Sequence, residues 1–174
     1  MLGELSKAGR QALGGLAMGL AVLGGGLLPA HAQSSAAELT AAFCATRTGS
    51  EEADVKPLLT PSLLELVNEA EQRSRAIGEA NPDEKPPFGD GIPFQSFPDK
   101  PDTCVPGEPV AKAGMTEAPV TYAMTVAPEA SWTDTLILTL VEGKVLIDDI
   151  RYQSSADGGE SFTLRQILTD AFDQ

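Results

Sequence analysis

Trp132-Thr133-Asp134-Thr135-Leu136-Ile137-Leu138-Thr139-Leu140-Val141, then Glu142-Gly143, then Lys144-Val145-Leu146-Ile147-Asp148-Asp149-Ile150-Arg151-Tyr152-Gln153: this stretch decides the fold. Its first limb places Leu136, Leu138 and Leu140 on one side, with mostly threonine on the other, which is the period of a half-buried β-strand. Glu142-Gly143 is a two-residue break of the kind that closes a tight hairpin. The second limb, 144–153, then returns as the last strand. Upstream, Pro119 to Ala127 carries Val120, Tyr122, Met124 and Val126 on one face, and 108–113 reads as a weaker strand. The expectation is a curved antiparallel meander of about four strands.

Helical spacing brackets the sheet. Leu39, Phe43 and Thr46 or Arg47 mark a helix over 36–48, ended by Gly49. Thr60-Pro61 is a cap followed by a proline at the first helical position. The helix that follows runs to about Ile77, with Leu63, Leu66, Val67, Ala70 and Ile77 inward and Glu65, Glu69, Gln72 and Arg73 facing water. Leu164, Ile167 and Leu168 mark a closing helix over 162–172. Between Gly78 and Pro109 lies a long proline-, glycine- and aspartate-rich connection, whose Phe88, Ile92, Phe94 and Phe97 predict a segment packed down as a lid. The fold class is therefore α+β, a curved antiparallel sheet packed against three helices.

The N-terminus reads differently. Lys7 and Arg10, a Gly/Leu-rich apolar stretch from Leu13 to Leu28, and Pro29-Ala30-His31-Ala32 have the three parts of a secretory signal peptide, with cleavage between Ala32 and Gln33. An uncleaved membrane anchor is disfavoured, because the apolar run is short of the ~20 residues a spanning helix needs and is rich in glycine. Cys44 lies outside any lipoprotein-like context. Residues 33–174 then form a single exported domain, in the periplasm or outside the cell.

Charge and cysteine usage narrow the function classes. The chain carries 25 acidic and 12 basic residues, a net charge of −13. Such a balance argues against nucleic acid and against anionic membrane surfaces, and permits a basic protein partner or a cation, although solubility of an exported protein is the plainer and favoured explanation. Cys44 and Cys104 are the only cysteines, and in an oxidising compartment an even pair is normally bridged. The only histidine, His31, lies within the signal peptide. The mature domain thus lacks imidazole, which excludes the usual Ser-His-Asp and Cys-His mechanisms and histidine-bearing zinc sites. No glycine-rich phosphate-binding pattern occurs, and no cofactor is expected.

The run Leu138 to Tyr152 resembles the closing strand pair of small exported bacterial proteins of unknown function, with Val145 where that family usually has tryptophan. Leu58-Leu59-Thr60-Pro61-Ser62-Leu63 is similar to its helix start, and Asp83 to Gln95 sits where it has an Asp-rich segment. Those proteins resemble in turn the nuclear transport factor 2-like superfamily. What the resemblance implies is a cystatin-like cone of helices wrapped by a curved sheet, either filled or holding a pocket, and in many members a homodimer formed through the sheet. Proton-transfer enzymes and binding modules both use the shape.

Three function classes follow. A proton-transfer enzyme needs a carboxylate in apolar surroundings. Asp148 shares alternation with Leu146, Ile150 and Tyr152, Asp134 with Trp132, Leu136 and Leu138, and Tyr122 is a donor for developing negative charge. Each has a plainer reading: Asp148 at a bulge, Asp134 at a wet strand end, Tyr122 as core. A cation site would draw on Asp83, Glu84, Asp90, Asp99 and Asp102, whose spacing matches no defined calcium loop. The favoured class is a non-enzymatic binding module of the cell envelope that takes a small molecule or a basic protein, in the manner of an inhibitor or immunity factor.

Overall fold

The computed structural model describes residues 29–49, 54–153 and 161–173, with side chains from Ser35 onward; the greater part of the predicted signal peptide lies outside the described residues. The elements run α1 (Pro29–Thr48), a 3-10 turn (Lys56–Leu58), α2 (Pro61–Ala80), β1 (Thr103–Pro106), β2 (Val110–Lys112), β3 (Met115–Met124), β4 (Ala127–Val141), β5 (Lys144–Arg151) and α3 (Leu164–Asp170). The predicted cleavage position, Ala32–Gln33, falls in the first turns of α1.

The sheet is wholly antiparallel, in the order β1-β3-β4-β5, and β2 pairs with β3 beyond the end of β1. It has five strands where about four are expected. The addition is β1, four residues inside the presumed loop, paired through Cys104 opposite Tyr122. Two of the three two-residue hairpins have left-handed residues at both central positions, Glu142 (φ 49°) with Gly143 (φ 80°) and Ala113 (φ 48°) with Gly114 (φ 86°), the backbone that matches the strand twist; Thr125-Val126, between β3 and β4, has none.

Pro119 sits within β3, a position normally closed to proline. Its carbonyl accepts from the Gly107 N–H at 2.8 Å, so its ring nitrogen faces the same side, where the chain passes from β1 to β2 and a ladder bond is already interrupted. The contact is close: a Cβ at residue 107 would lie 2.7 Å from Pro119 Cγ, so glycine is required there.

Cross-strand register sorts the sheet faces. Tyr122 with Trp132, Val120 with Asp134, Ala118 with Leu136 and Ile150, and Leu138 with Ile147 point toward the helices. All of them are buried, alongside Phe43, Leu59, Leu63, Val67, Leu164 and Leu168. Two expected core positions are not. Val126 is 92% exposed, because the chain turns between Met124 and Ala127, and Leu140 is 62% exposed, because the hairpin tip runs past the helical layer.

The helices obey the local signals. Thr60 accepts from the Leu63 N–H and opens α2 on Pro61; Thr163 and Gln166 form a reciprocal capping box on α3. Gly78 does not end α2, which continues to Ala80 and stops before Pro82. Ile77, expected inside, is 37% exposed, and Ser74 takes the buried place on that face, accepting the Phe88 N–H at 3.2 Å. Cys44 and Cys104 form the disulfide, with Cα atoms 5.2 Å apart, tying α1 to β1. Among the described residues, no helix is long and apolar enough to cross a membrane.

Candidate functional site

Strand alternation turns Asp134 into the core, where it is fully buried. One carboxylate oxygen accepts the Ser96 N–H at 2.9 Å and the other the Gln153 N–H at 3.0 Å. The carboxylate thereby joins the proline-rich connection to the end of the last strand. A buried charge is tolerable only with such donors. Beside it, Gln95 donates to the carbonyls of Phe97 and Asp99, both at 2.8 Å, and accepts from Arg47 Nε at 3.1 Å.

Tyr122 and Trp132 stack across the β3–β4 ladder, ring centres 5.0 Å apart, and Phe97 of the connection covers Trp132 at 5.2 Å. Tyr122 Oη and Trp132 Nε1 are buried without a hydrogen-bond partner among the described residues. Tyr152 Oη donates to the Pro93 carbonyl. Burial first, and then the negative charge of Asp134, push both phenols well above the ordinary tyrosine value, so both stay neutral.

Asp148 lies elsewhere, and its predicted alternation is overturned. Ile137 pairs with Asp149 and Leu138 with Ile147, so Asp148 is the extra residue of a bulge, and the bulge lets Ile147 and Ile150 both face the core. Its side chain, 34% exposed, pairs with Arg165 at 2.8 Å and accepts from Thr60 Oγ1 at 3.0 Å. Arg165 Nε also donates to the Asp148 carbonyl at 2.7 Å, and Asp149 accepts the Arg165 N–H at 3.1 Å. The bulge is thus a junction that fixes the starts of α2 and α3 against β5. Of the three nominated residues, the fold brings Asp134 and Tyr122 together and leaves Asp148 apart.

Comparison with family models, curated proteins and solved structures returns no match. The chemistry therefore rests on the residues alone.

The acidic loop residues are dispersed. Asp90 pairs with Lys85, and Asp102 accepts the Thr125 N–H, which holds its carboxyl below the usual range. Among the described residues there is no group of three or more histidine, cysteine, aspartate or glutamate side chains able to hold a metal ion, so Asp83, Glu84 and Asp99 are not drawn into a common site.

The surface offers clefts in other places. One of about 480 Å³ lies between α2, the Lys85–Phe88 turn and α3, lined by Ile77, Phe88, Ile167, Ala171 and Phe172. Another of about 280 Å³ runs under the hairpin tips, lined by Met115, Leu138, Leu140 and Val145. Sequence reasoning missed the first because Ile77 is in phase with the core stripe of α2. The one local sign was Gly78, which packs against Pro86 and brings the turn alongside the helix.

Proposed function

We propose that this protein is an exported, non-enzymatic binding module of the cell envelope, folded as a filled cone of the nuclear transport factor 2-like type, which engages its partner through its surface. The observation that carries this is the state of Asp134. The one fully buried carboxylate among the described residues accepts a backbone N–H on each oxygen and ties the connection to the end of the last strand, which supports a structural role for it. Asp148 is likewise engaged, by Arg165 and Thr60.

A basic protein is the favoured partner. Without Glu4, Lys7 and Arg10 of the signal peptide, the mature chain holds 24 acidic and 10 basic residues, a charge that speeds encounter with cationic surfaces. An inhibitor or immunity-type role fits that chemistry. The outer face of the sheet, with Val105, Val110 and Met115 exposed beside the Glu117–Arg151 pair, is the surface we assign to self-association.

One observation favours the enzymatic alternative: the unpartnered Tyr122 hydroxyl in the neighbourhood of Asp134. Native mass spectrometry of the protein purified from its own periplasm separates the readings. A bare mass starting at Gln33 and two daltons below the reduced value is expected. A retained small molecule would overturn the protein-binding reading and revive the pocket.

A further inference from the structure

The end of the molecule formed by the last turns of α2, the turn that follows and the C-terminus of α3 combines two independent properties. The first is shape: the 480 Å³ cleft has apolar walls from three separate elements, with Phe88 edge-on to Phe172 at 5.7 Å and Ile77 open at the mouth. A smaller cleft of about 200 Å³, lined by Leu66, Ala70 and Leu168, shares Phe172 and continues the apolar strip past Arg73, whose guanidinium lies 4.1 Å from the Phe172 ring centre. The second is charge. Exposed acids neighbour the lining residues in sequence: Glu79 after Ile77, Asp83 and Glu84 before Lys85, Asp170 and Asp173 around Phe172. Lys85, the cation lining the main cleft, is already neutralised by Asp90.

We propose that this cleft is the docking site for a basic amphipathic segment of a partner protein, one apolar side chain seated between Ile77 and Phe172 and lysine or arginine side chains set on the acidic rim. This rests on the binding-module reading above and names its surface. An apolar floor with an acidic rim is complementary to a segment with one apolar and one cationic face. An anionic lipid surface meets repulsion from the rim, and a second copy of this chain brings the same excess of acid.

The test is titration of ¹⁵N-labelled mature protein, disulfide intact, with an 18-residue capped helical peptide of leucine and lysine, its leucines on one face, against the same peptide with glutamate in place of lysine. The lysine peptide should perturb amides of residues 77–91 and 167–173. Its Kd should weaken about 10-fold in Ile77→Asn and, separately, in Asp170→Asn/Asp173→Asn, and again between 50 and 300 mM salt. Perturbations centred elsewhere, an unchanged Kd in both variants, equal binding of the glutamate peptide, or no binding of the lysine peptide overturns the site. A small molecule retained in the native mass spectrum is a separate result, which sinks the broader reading whatever the titration shows.

Discussion

Replacing Asp134 with asparagine preserves the side chain's shape and removes its charge, and the consequence follows from the two donors it faces. The Ser96 and Gln153 N–H groups point at opposite oxygens, 2.9 and 3.0 Å away. Asparagine offers one acceptor oxygen and one amino group, so in either orientation one backbone N–H meets another donor. One charge-assisted bond becomes an ordinary one, and one buried donor is left unpaired, a loss of about 3 kcal/mol in all. For a domain of this size that lowers Tm by roughly 10 °C. Urea unfolding of the disulfide-intact protein, followed by the fluorescence of its single tryptophan, Trp132, measures the change next to the site. Early exchange of the Ser96 amide should accompany it. A loss below about 0.5 kcal/mol, or a gain, would refute the structural role: a carboxylate held for proton transfer is a strain on the fold, and neutralising it relieves that strain.

The two tyrosines provide a pH test. Both are buried with phenol pKa values raised in the folded state, so their contribution is fully present below pH 10, the unfolded value, and is lost as pH rises further. Stability should fall by up to about 3 kcal/mol per pH unit above 10, and phenolate absorbance should appear only with unfolding; free titration of either ring in the native protein contradicts the packing. Cys44→Ala/Cys104→Ala opens a loop with a sequence separation of 60 and should cost about 4 kcal/mol in a urea melt compared with the oxidised parent. Gly107→Ala places a methyl 2.7 Å from Pro119 Cγ and should cost about 1–3 kcal/mol, with hydrogen exchange quickened at β1 and β2; a neutral result would mean the crossing relaxes freely.

The local signals proved dependable where the information is local. Thr60-Pro61, Glu142-Gly143 and the Leu136/Leu138 alternation each specify their geometry within a few residues, and the helix, turn and strand they announce are present. Three features have causes that lie far along the chain, and of these the sequence offers only the bulge, as the plainer reading of Asp148. Strand β1 is short and flanked by proline, and it is a strand only because β3 offers Tyr122 opposite Cys104. The bulge at Asp148 reverses the side its neighbours face, and it is stabilised by Arg165 and Thr60, 17 and 88 residues away. The alternation put Asp134 on the right side of the sheet, yet the donors that occupy it come from Ser96 and Gln153, which no spacing rule connects. Ile77 shows the converse: helical phase placed it with the core stripe, but it stands at the mouth of the cleft while Ser74, one turn earlier, takes the buried place.

The two margins of the sheet have a further consequence. Along β5, Leu59 bridges to Ile147 and Thr163 to Arg151, and the N–H groups of Thr60 and Tyr152 are spent on Ile147 and Phe162. The opposite margin is broken into strands of four and three residues, with Pro106 and Pro109 supplying no N–H. A foreign strand finds little continuous ladder to extend on either side. A folded chain with such margins is shielded from growing into fibres edge to edge, and a partner is left to recognise it through side chains instead of by lending it a sixth strand.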